Sequence, residues 1–239
     1  MTAAVEPPTA DMIDLSRRAV AIHQRLFWFY GTPEWRDPLP PLDELISTIL
    51  SQNTNDRNRD LAFRELVRRF PSWEAVRDTN AAAVVDAIRI AGLANQKGPR
   101  IQTVLREITR ERGSLDLSFL SKLTRDEAQT WLTRFNGVGP KTAAIVLQFS
   151  LGIAAFPVDT HIYRVTGRLG LRPAKMSVEQ AHRFLEQVFP SETYYTAHLN
   201  LIRLGREICQ ARRPLCPLCP LLELCDTGRT TLPNPRPLP

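Results

Sequence analysis

Four cysteines near the end of the chain are the residues whose spacing most directly suggests chemistry. These cysteines are Cys209, Cys216, Cys219 and Cys225, and six, two and five residues lie between successive members. Thiolates bind metal when several converge, and a short loop interrupted by prolines brings them together at little loop-closure cost. Four thiolates without a histidine suit either zinc or an iron–sulfur cluster. Because zinc sites usually pair two short cysteine knuckles, one short pair flanked by single cysteines favours the cluster; zinc and unligated thiols stay open as alternatives.

A turn rich in glycine, FNGVGPK, spans residues 135–141 and leads into an apolar run. We expect Gly137 and Gly139 to supply positive φ angles on either side of Val138, and Pro140 to open a new helix. Amide groups at the positive end of that helix would bind an anion such as a DNA phosphate without reading a base. Glycine turns are also common connectors between helices, which is the alternative interpretation.

A lysine at the end of this segment and an aspartate beyond it are the candidate catalytic residues. Lys141 lies in the first turn of the apolar helix, where the helix dipole and partial burial would favour a neutral amine nucleophile. A lysine that extends its ammonium group to solvent from a helix end is the alternative. Asp159 comes eighteen residues later in FPVDTHI. It would either cap the next helix or place a carboxylate beside a developing positive charge.

Positive charge favours a polyanionic partner. The chain has 31 lysines and arginines against 25 aspartates and glutamates, a formal net charge of +6, and such a field attracts nucleic acid. Arg212 and Arg213, in the loop between the first two cysteines, are suited to forked contact with phosphate oxygens. Soluble proteins with no polyanionic partner carry similar charge, so a solvated basic surface is the alternative.

Helices must position these residues. The chain has 239 residues, 43% of them hydrophobic and 23% charged, and its long segments between helix breakers predict a mostly α fold. No stretch reaches the ~20 apolar residues of a membrane span, and the start lacks a signal-peptide pattern, so we expect a cytoplasmic protein whose cysteines bind metal rather than form disulfides. The first predicted helix begins at about residue 11 or 14 and ends at residue 30. The other predicted helices are 42–51, 56–70, 72–77, 81–90, 97–112, 125–135, 140–151, 161–169, 177–189 and 194–209.

The glycine turn, Lys141, the segment VDTHIYRV and the cysteine spacing together resemble the endonuclease III family of helix-hairpin-helix DNA glycosylases. The resemblance covers about residues 42–225 and implies an all-α fold of two domains with a DNA-binding groove between them. One is a six-helix barrel of residues 35–153 that contains the hairpin. The other, residues 11–34 with 154–228, would hold a [4Fe–4S] cluster, and residues 1–10 and 229–239 would be flexible tails.

The same resemblance implies the roles of individual residues. Lys141 corresponds to the nucleophile, Asp159 to the catalytic carboxylate and the four cysteines to the cluster ligands. The implied function is a bifunctional glycosylase and abasic-site β-lyase that removes oxidised pyrimidines, such as thymine glycol, from duplex DNA. Its partner would be DNA with a damaged base or an abasic site, and the enzyme would be a cytoplasmic, nucleoid-associated monomer of bacterial type.

Two loops resemble the wedges that fill the gap left by a flipped base. One contains Gln52 and Asn53, and the other contains Leu93. The family usually has Ala-Gln where this chain has Gln52-Asn53, which leaves the substrate preference open. A monofunctional mismatch glycosylase acting on uracil, thymine or adenine is one alternative, although Thr48 stands where adenine enzymes have a catalytic glutamate. A DNA-binding module without enzymatic activity is the other.

Overall fold

The computed structural model describes residues 9–34 and 37–231, and within these residues it contains helices and no β-strand. The chain divides into two compact units. The first combines the described residues up to 34 with residues 154–231, and the second covers residues 37–153. The α-helices in chain order are α1 Ala10–Tyr30, α2 Pro41–Ser51, α3 Asp56–Arg69, α4 Trp73–Asp78, α5 Ala81–Ala87, α6 Ala94–Arg112, α7 Arg125–Thr133, α8 Pro140–Ser150, α9 Thr160–Arg168, α10 Val178–Val188, α11 Tyr194–Glu207 and α12 Asp226–Thr231.

Short polar side chains define where most of these helices begin. Thr124 and Ser177 form reciprocal capping boxes with the third residue of α7 and of α10. Asn55 caps α3 by accepting a hydrogen bond from the amide of Asn58 at 2.9 Å. Such caps satisfy amide groups that have no partner inside the helix, and each stabilises a helix by about 1 kcal/mol.

The first unit is built on α1, α9, α10 and α11. Its core is a set of fully buried apolar side chains that includes Ile22, Leu185 and Leu201. Phe156 lies at the centre, stacked on the ring of Phe189 with centroids 5.0 Å apart. Because Phe156 belongs to the segment between α8 and α9, its burial fixes the chain just before Asp159.

The second unit contains α2 to α8, and two of these helices, α4 and α5, are only six and seven residues long. α2 packs against α3 and α8, and α6 packs against α4 and α5. Burying each leucine or isoleucine in such a core contributes about 1.5–3 kcal/mol. The leucine and isoleucine side chains of α2 and α6 with no exposed surface are Leu45, Ile46, Ile49, Leu50, Ile101, Leu105 and Ile108.

Several helix bounds differ from those expected. The helix expected at residues 81–90 ends at Ala87 and is followed by a 3₁₀ turn, Arg89–Ala91. The helix expected from residue 97 begins at Ala94, directly after Leu93, whose backbone is left-handed. No apolar signal marks that start, because the residues from Ala94 to Gln96 are short or polar.

Part of each segment expected to be a flexible tail is helical. Ala10 is already the first residue of α1, and α12 continues to Thr231. Arg18 of α1 donates a hydrogen bond to Asp226, the first residue of α12, and another to the carbonyl oxygen of Leu224 at 2.7 Å. Residues 1–8 and 232–239, the rest of the expected tails, lie outside the described residues. Within the described part, no helix combines the length and the apolar character needed to cross a lipid bilayer.

Candidate active site and candidate metal centre

The glycine turn joins α7 to α8 in the second unit. Its apolar residues face inward, since Phe135 and Val138 are both 3% exposed and the Val138 amide donates to the Phe135 carbonyl oxygen at 3.0 Å. Gly137 has φ 83°, and a Cβ atom there would overlap the side chain of Arg100. The positive φ favours glycine at this position, and any side chain there would have to displace Arg100.

Gly139 differs from Gly137, and the expectation of a positive φ at both glycines is wrong. Gly139 has φ −90° and ψ −179°, an extended conformation that any residue can adopt. A Cβ atom at Gly139 would meet no described atom within 4 Å. The local fold therefore does not require glycine at this position, which leaves the backbone open to close approach by another molecule.

The first amides of α8 are also open. Pro140 has no N–H, and α8 has no side-chain cap. The amide of Ala143 donates to Gly139 at 3.0 Å, whereas the amides of Lys141 and Thr142 have no acceptor among the described residues. Two N–H donors at the positive end of a helix form an anion-binding arrangement.

Lys141 is the second residue of α8, and its side chain is exposed. The part of the prediction that invoked burial is therefore wrong. Thr142, Ala143 and Ala144 turn into the core, so Lys141 occupies the water-facing position of this helical turn. An exposed primary amine beside open backbone donors is accessible to a bound substrate.

The two loops predicted to act as wedges share a backbone property. Asn53 and Leu93 are the non-glycine residues with positive φ in the described part of the chain, at 52° and 51°. A left-handed backbone costs a residue such as leucine about 1–2 kcal/mol, whereas asparagine tolerates it, and strain of the kind seen at Leu93 concentrates at functional sites. Both side chains are exposed, that of Leu93 to 46%.

Gln52 does not extend freely from its loop. Its side-chain nitrogen donates to the Gly137 carbonyl oxygen at 2.9 Å, and its side-chain oxygen accepts from Arg100 Nη1 at 2.9 Å. The Gln52 side chain therefore contacts both the glycine turn and the side chain of Arg100. Sequence reasoning missed Arg100, because nothing in its neighbourhood of α6 indicates which distant loop its side chain reaches.

Asp159 belongs to the first unit and is the N-cap of α9. Its Oδ1 accepts a hydrogen bond from the Ile162 amide at 2.7 Å, while Oδ2 has no partner among the described residues. The preceding backbone is held by two histidines: the Val158 amide donates to His182 Nδ1 at 3.2 Å, and His198 Nδ1 lies 2.9 Å from the Pro157 carbonyl oxygen. Asp159 is partly buried, and these contacts position its carboxylate.

The four cysteines line one cavity of about 340 Å³ in the first unit. No group of three or more histidine, cysteine, aspartate or glutamate side chains in the described residues converges closely enough for a single metal ion. Four thiolates that line one cavity, with no histidine among them, are a donor set that suits either zinc or an iron–sulfur cluster.

Hydrogen-bond donors point at the sulfur atoms of this cavity. Arg168 Nη1 lies 3.3 Å from Cys209 Sγ, and the Gly228 amide donates to Cys225 Sγ at 3.2 Å. Burial, with the charges of the neighbouring thiolates, raises the pKa of the Cys219 thiol to about 11. A bound cation would offset that repulsion, so the donor set fits an iron–sulfur cluster.

Two arginines of α9 hold the loop that carries the first cysteine. Arg164 donates to the carbonyl oxygens of Gly205 at 2.8 Å and Cys209 at 3.1 Å, and Arg168 donates to those of Gln210 at 2.7 Å and Ala211 at 2.8 Å. Sequence reasoning missed both arginines. Their spacing of four residues, which puts them on one face of a helix, was the available signal.

Arg212 and Arg213 lie on that loop, and both side chains are exposed. Neither makes a hydrogen bond or an ion pair with the described residues. By contrast, Arg203 on α11 pairs with Glu207 at 3.0 Å and lies over the ring of Tyr30. Arg212 and Arg213 are therefore available to an external anion.

Comparisons with known proteins agree on one family. Residues 46–191 match the model described as HhH-GPD superfamily base excision DNA repair protein. A putative DNA glycosylase of Arabidopsis thaliana is 37% identical over 168 residues, 70% of this chain and 57% of the plant protein. Endonuclease III of Sulfolobus acidocaldarius is 32% identical over 183 residues, 76% of this chain and 79% of that protein. A solved structure of a trapped endonuclease III–DNA covalent intermediate aligns with TM-score 0.78 and 26% identity, covering 90% of this chain and 97% of that chain.

Proposed function

This chain belongs to the HhH-GPD superfamily of base excision DNA repair proteins, and on that premise we propose that it is a bifunctional glycosylase and abasic-site β-lyase. It is a base excision repair DNA glycosylase of the endonuclease III type. The proposal adds that it removes oxidised pyrimidines, such as thymine glycol, and that it nicks the strand. The observation that carries the lyase activity is the exposed amine of Lys141 directly after the glycine turn.

Damaged duplex DNA is the partner, and the start of α8 would receive one of its phosphates. Gly139 leaves the backbone accessible, and the open amides of Lys141 and Thr142 supply donors to an anion. Contacts of this kind position the duplex without reading its sequence. A phosphate held at this point would place the adjoining sugar within reach of the Lys141 side chain.

The chemistry begins when a damaged base leaves the stack, because C1′ of its sugar is inaccessible in the duplex. Lys141 Nζ, after losing a proton, forms a bond to C1′ while the bond from C1′ to the base breaks and the base departs with the electron pair. The Asp159 carboxylate stabilises the positive charge that develops on the sugar. The nitrogen then loses a proton and its lone pair forms a C=N bond to C1′, while the C1′–O4′ bond breaks and O4′ takes a proton, so the sugar ring opens to a Schiff base. This Schiff base acidifies the 2′ carbon, and removal of a 2′ proton expels the 3′ phosphate.

Cys209, Cys216, Cys219 and Cys225 would hold a [4Fe–4S] cluster. When bound, such a cluster cross-links the segments that carry its ligands and can exchange an electron. Arg168 and the Gly228 amide would donate hydrogen bonds to its thiolates. Visible absorbance with matching iron and sulfide content in the purified protein would support the cluster, whereas a colourless protein containing zinc would contradict it.

Borohydride trapping tests the lyase. We expect the protein to form a covalent adduct with duplexes that contain thymine glycol or an abasic site, because borohydride reduces the Schiff base to a stable amine. Lys141→Ala should abolish the adduct. Lys122→Ala, which removes another exposed lysine of the second unit, is the matched control and should retain it. Base release without an adduct would identify a monofunctional glycosylase, and binding without base release would identify a DNA-binding module; either result overturns the proposal.

A further inference from the structure

Lys97 is a buried lysine that the proposed chemistry does not use. It lies in the first turns of α6 and is 1% exposed, a position where burial and the nearby charge of Arg100 lower the pKa of its ammonium group. Its Nζ donates two hydrogen bonds, to the carbonyl oxygens of Leu50 and Ala91, each at 2.8 Å. Burying a lysine is unfavourable unless its donors are satisfied, so these two bonds account for its placement.

The two carbonyl groups belong to the ends of two different helical segments. Leu50 lies in the last turn of α2, and Ala91 is the last residue of the 3₁₀ turn Arg89–Ala91. Carbonyls at helix ends lack intrahelical partners and carry partial negative charge, which makes one shared cation favourable. A single side chain therefore fixes the ends of both segments.

Each of these ends leads directly into one of the two wedge loops. Gln52 and Asn53 follow Leu50 after one residue, and Gly92 and Leu93 follow Ala91. Each loop contains a non-glycine residue with a left-handed backbone, Asn53 or Leu93. Strained conformations of this kind persist only where surrounding contacts fix them.

Lys97 contacts the second loop through its main chain as well. Its amide donates to the Leu93 carbonyl oxygen at 3.0 Å. Lys97 also lies on the buried face of α6 at helical spacing from Ile101 and Leu105. The side chain of Lys97 therefore binds the ends that lead into both loops, and its main chain adds a contact to the second loop.

We propose that Lys97 is a positioning residue that holds both wedge loops in the arrangement required to enter a DNA duplex. The inference rests on the proposed function, in which these loops fill the gap left by the flipped base. Lys97 does not touch DNA or the reacting atoms. Its contribution is to keep Asn53 and Leu93 at a fixed separation before DNA binds, so that insertion does not have to order them.

The test measures insertion separately from chemistry. A duplex with 2-aminopurine opposite an abasic-site analogue reports unstacking as a rise in fluorescence at saturating protein. Lys97→Met keeps the length of the side chain and removes the donors, and we expect a rise about fivefold smaller than that of the unmodified protein. Lys122→Met, which removes an exposed lysine of the same unit, should leave the rise unchanged.

A second readout separates positioning from general loss of structure. Borohydride trapping on a single-stranded abasic oligonucleotide requires no base stack to be opened, so Lys97→Met should form this adduct at a rate within about threefold of the unmodified protein. An equal loss in both readouts, or an unchanged fluorescence rise, would overturn the inference. If Lys97→Met does not fold, Lys97→Gln replaces it, because its amide can still donate to one carbonyl. We then expect a smaller fluorescence rise on the duplex and a retained adduct with the single-stranded oligonucleotide.

The proposed function and the inference can fail independently. If the unmodified protein unstacks the duplex but forms no adduct, the lyase proposal fails and the fluorescence comparison between Lys97→Met and Lys122→Met still decides the role of Lys97. If the unmodified protein produces no rise in fluorescence, the loops do not enter the duplex and the inference fails, whatever the adduct shows.

Discussion

The starts of α8 and α9 carry the two residues proposed to act on the sugar, and they are built in opposite ways. α8 begins at Gly139 and Pro140 without a side-chain cap. α9 has Asp159 as its N-cap, and the Asp159 carboxylate accepts a hydrogen bond from the amide of Ile162. The first arrangement leaves donors open to a ligand, whereas the second uses its carboxylate to satisfy the helix.

The two helix starts therefore position the Lys141 amine and the Asp159 carboxylate in different ways. Lys141 is exposed on a helix end that is open to a phosphate, so its placement relative to the sugar depends on how DNA binds. Asp159 is fixed before DNA arrives by its own helix and by the backbone segment that His182 and His198 hold. Substitutions of the glycines at the open start should therefore affect DNA binding, and those of Asp159 at the capped start should affect the reaction rate.

The largest effect is expected at the capped start. Asn and Asp cap helices about equally well, so Asp159→Asn should keep the stability of the protein within about 0.5 kcal/mol while removing the charge. We expect single-turnover base release to fall about 100-fold, because a charged group that stabilises the transition state is lost. Asp159→Ala should lose the cap as well and cost a further ~1 kcal/mol of stability. Unchanged base release in Asp159→Asn would mean that Asp159 is only a cap.

The other end of α9 provides the next test. Arg168→Met removes the hydrogen bonds to the loop that carries Cys209 and the donor near its sulfur atom. We expect the free energy of unfolding to fall by about 2 kcal/mol, measured by urea denaturation, together with faster loss of visible absorbance in air. The exposed Arg17 of the same unit supplies the control Arg17→Met, which should change neither. Equal behaviour of the two variants would contradict the assigned contact.

The open start is tested by comparing its two glycines. Gly139→Ala is compatible with the extended backbone and should leave stability within about 0.5 kcal/mol, yet its methyl group should block close approach of a phosphate and weaken DNA binding about fivefold. Gly137→Ala, with a positive φ and Arg100 in the way, should instead lower stability by about 2 kcal/mol. Fluorescence anisotropy and thermal unfolding measure the two effects. Normal DNA affinity in Gly139→Ala would show that this helix start does not receive the phosphate.

The smallest effect is expected at the cysteine loop. Replacing Arg212 and Arg213 with alanine should weaken DNA binding about threefold and reduce the slope of log affinity against log salt by about 2, if each contacts one phosphate. Stability should not change, because both side chains are exposed and unpaired in the described structure. The control for loss of charge alone is a double variant in which the exposed Arg17 and Arg110 are replaced with alanine. An equal salt-dependence slope in the two double variants would contradict a local contact of Arg212 and Arg213 with phosphates.

The sequence predicted those features that depend on local patterns. Apolar spacing located the major helices, and proline after glycine located the start of α8. The motifs around Lys141 and Asp159 identified the family, which the comparisons confirm. Asp159 was expected either to cap α9 or to act as a carboxylate, and its capping contact is present while its catalytic role stays a prediction.

Features that depend on distant contacts were not predictable in this way. Lys97 reaches Leu50, and Arg100 reaches Gln52, because packing of the second unit brings α6 beside the end of α2. A lysine or arginine on a helix gives no local indication of which carbonyl group it will approach. The exposure of Lys141 was missed for a related reason, since one water-facing position in an otherwise buried turn depends on the orientation of the whole helix.

The contact between Gly137 and Arg100 has an evolutionary consequence. Arg100 occupies the space that any side chain at position 137 would need, and Gln52 bonds to both residues. A larger residue at 137 would displace Arg100 and deprive the side-chain oxygen of Gln52 of its donor, although the backbone carbonyl oxygen of residue 137 would still accept from the Gln52 nitrogen. Among natural relatives of this chain, positions 52, 100 and 137 should therefore change together, and grafting its glycine turn into another member should require all three residues to be transferred as a set.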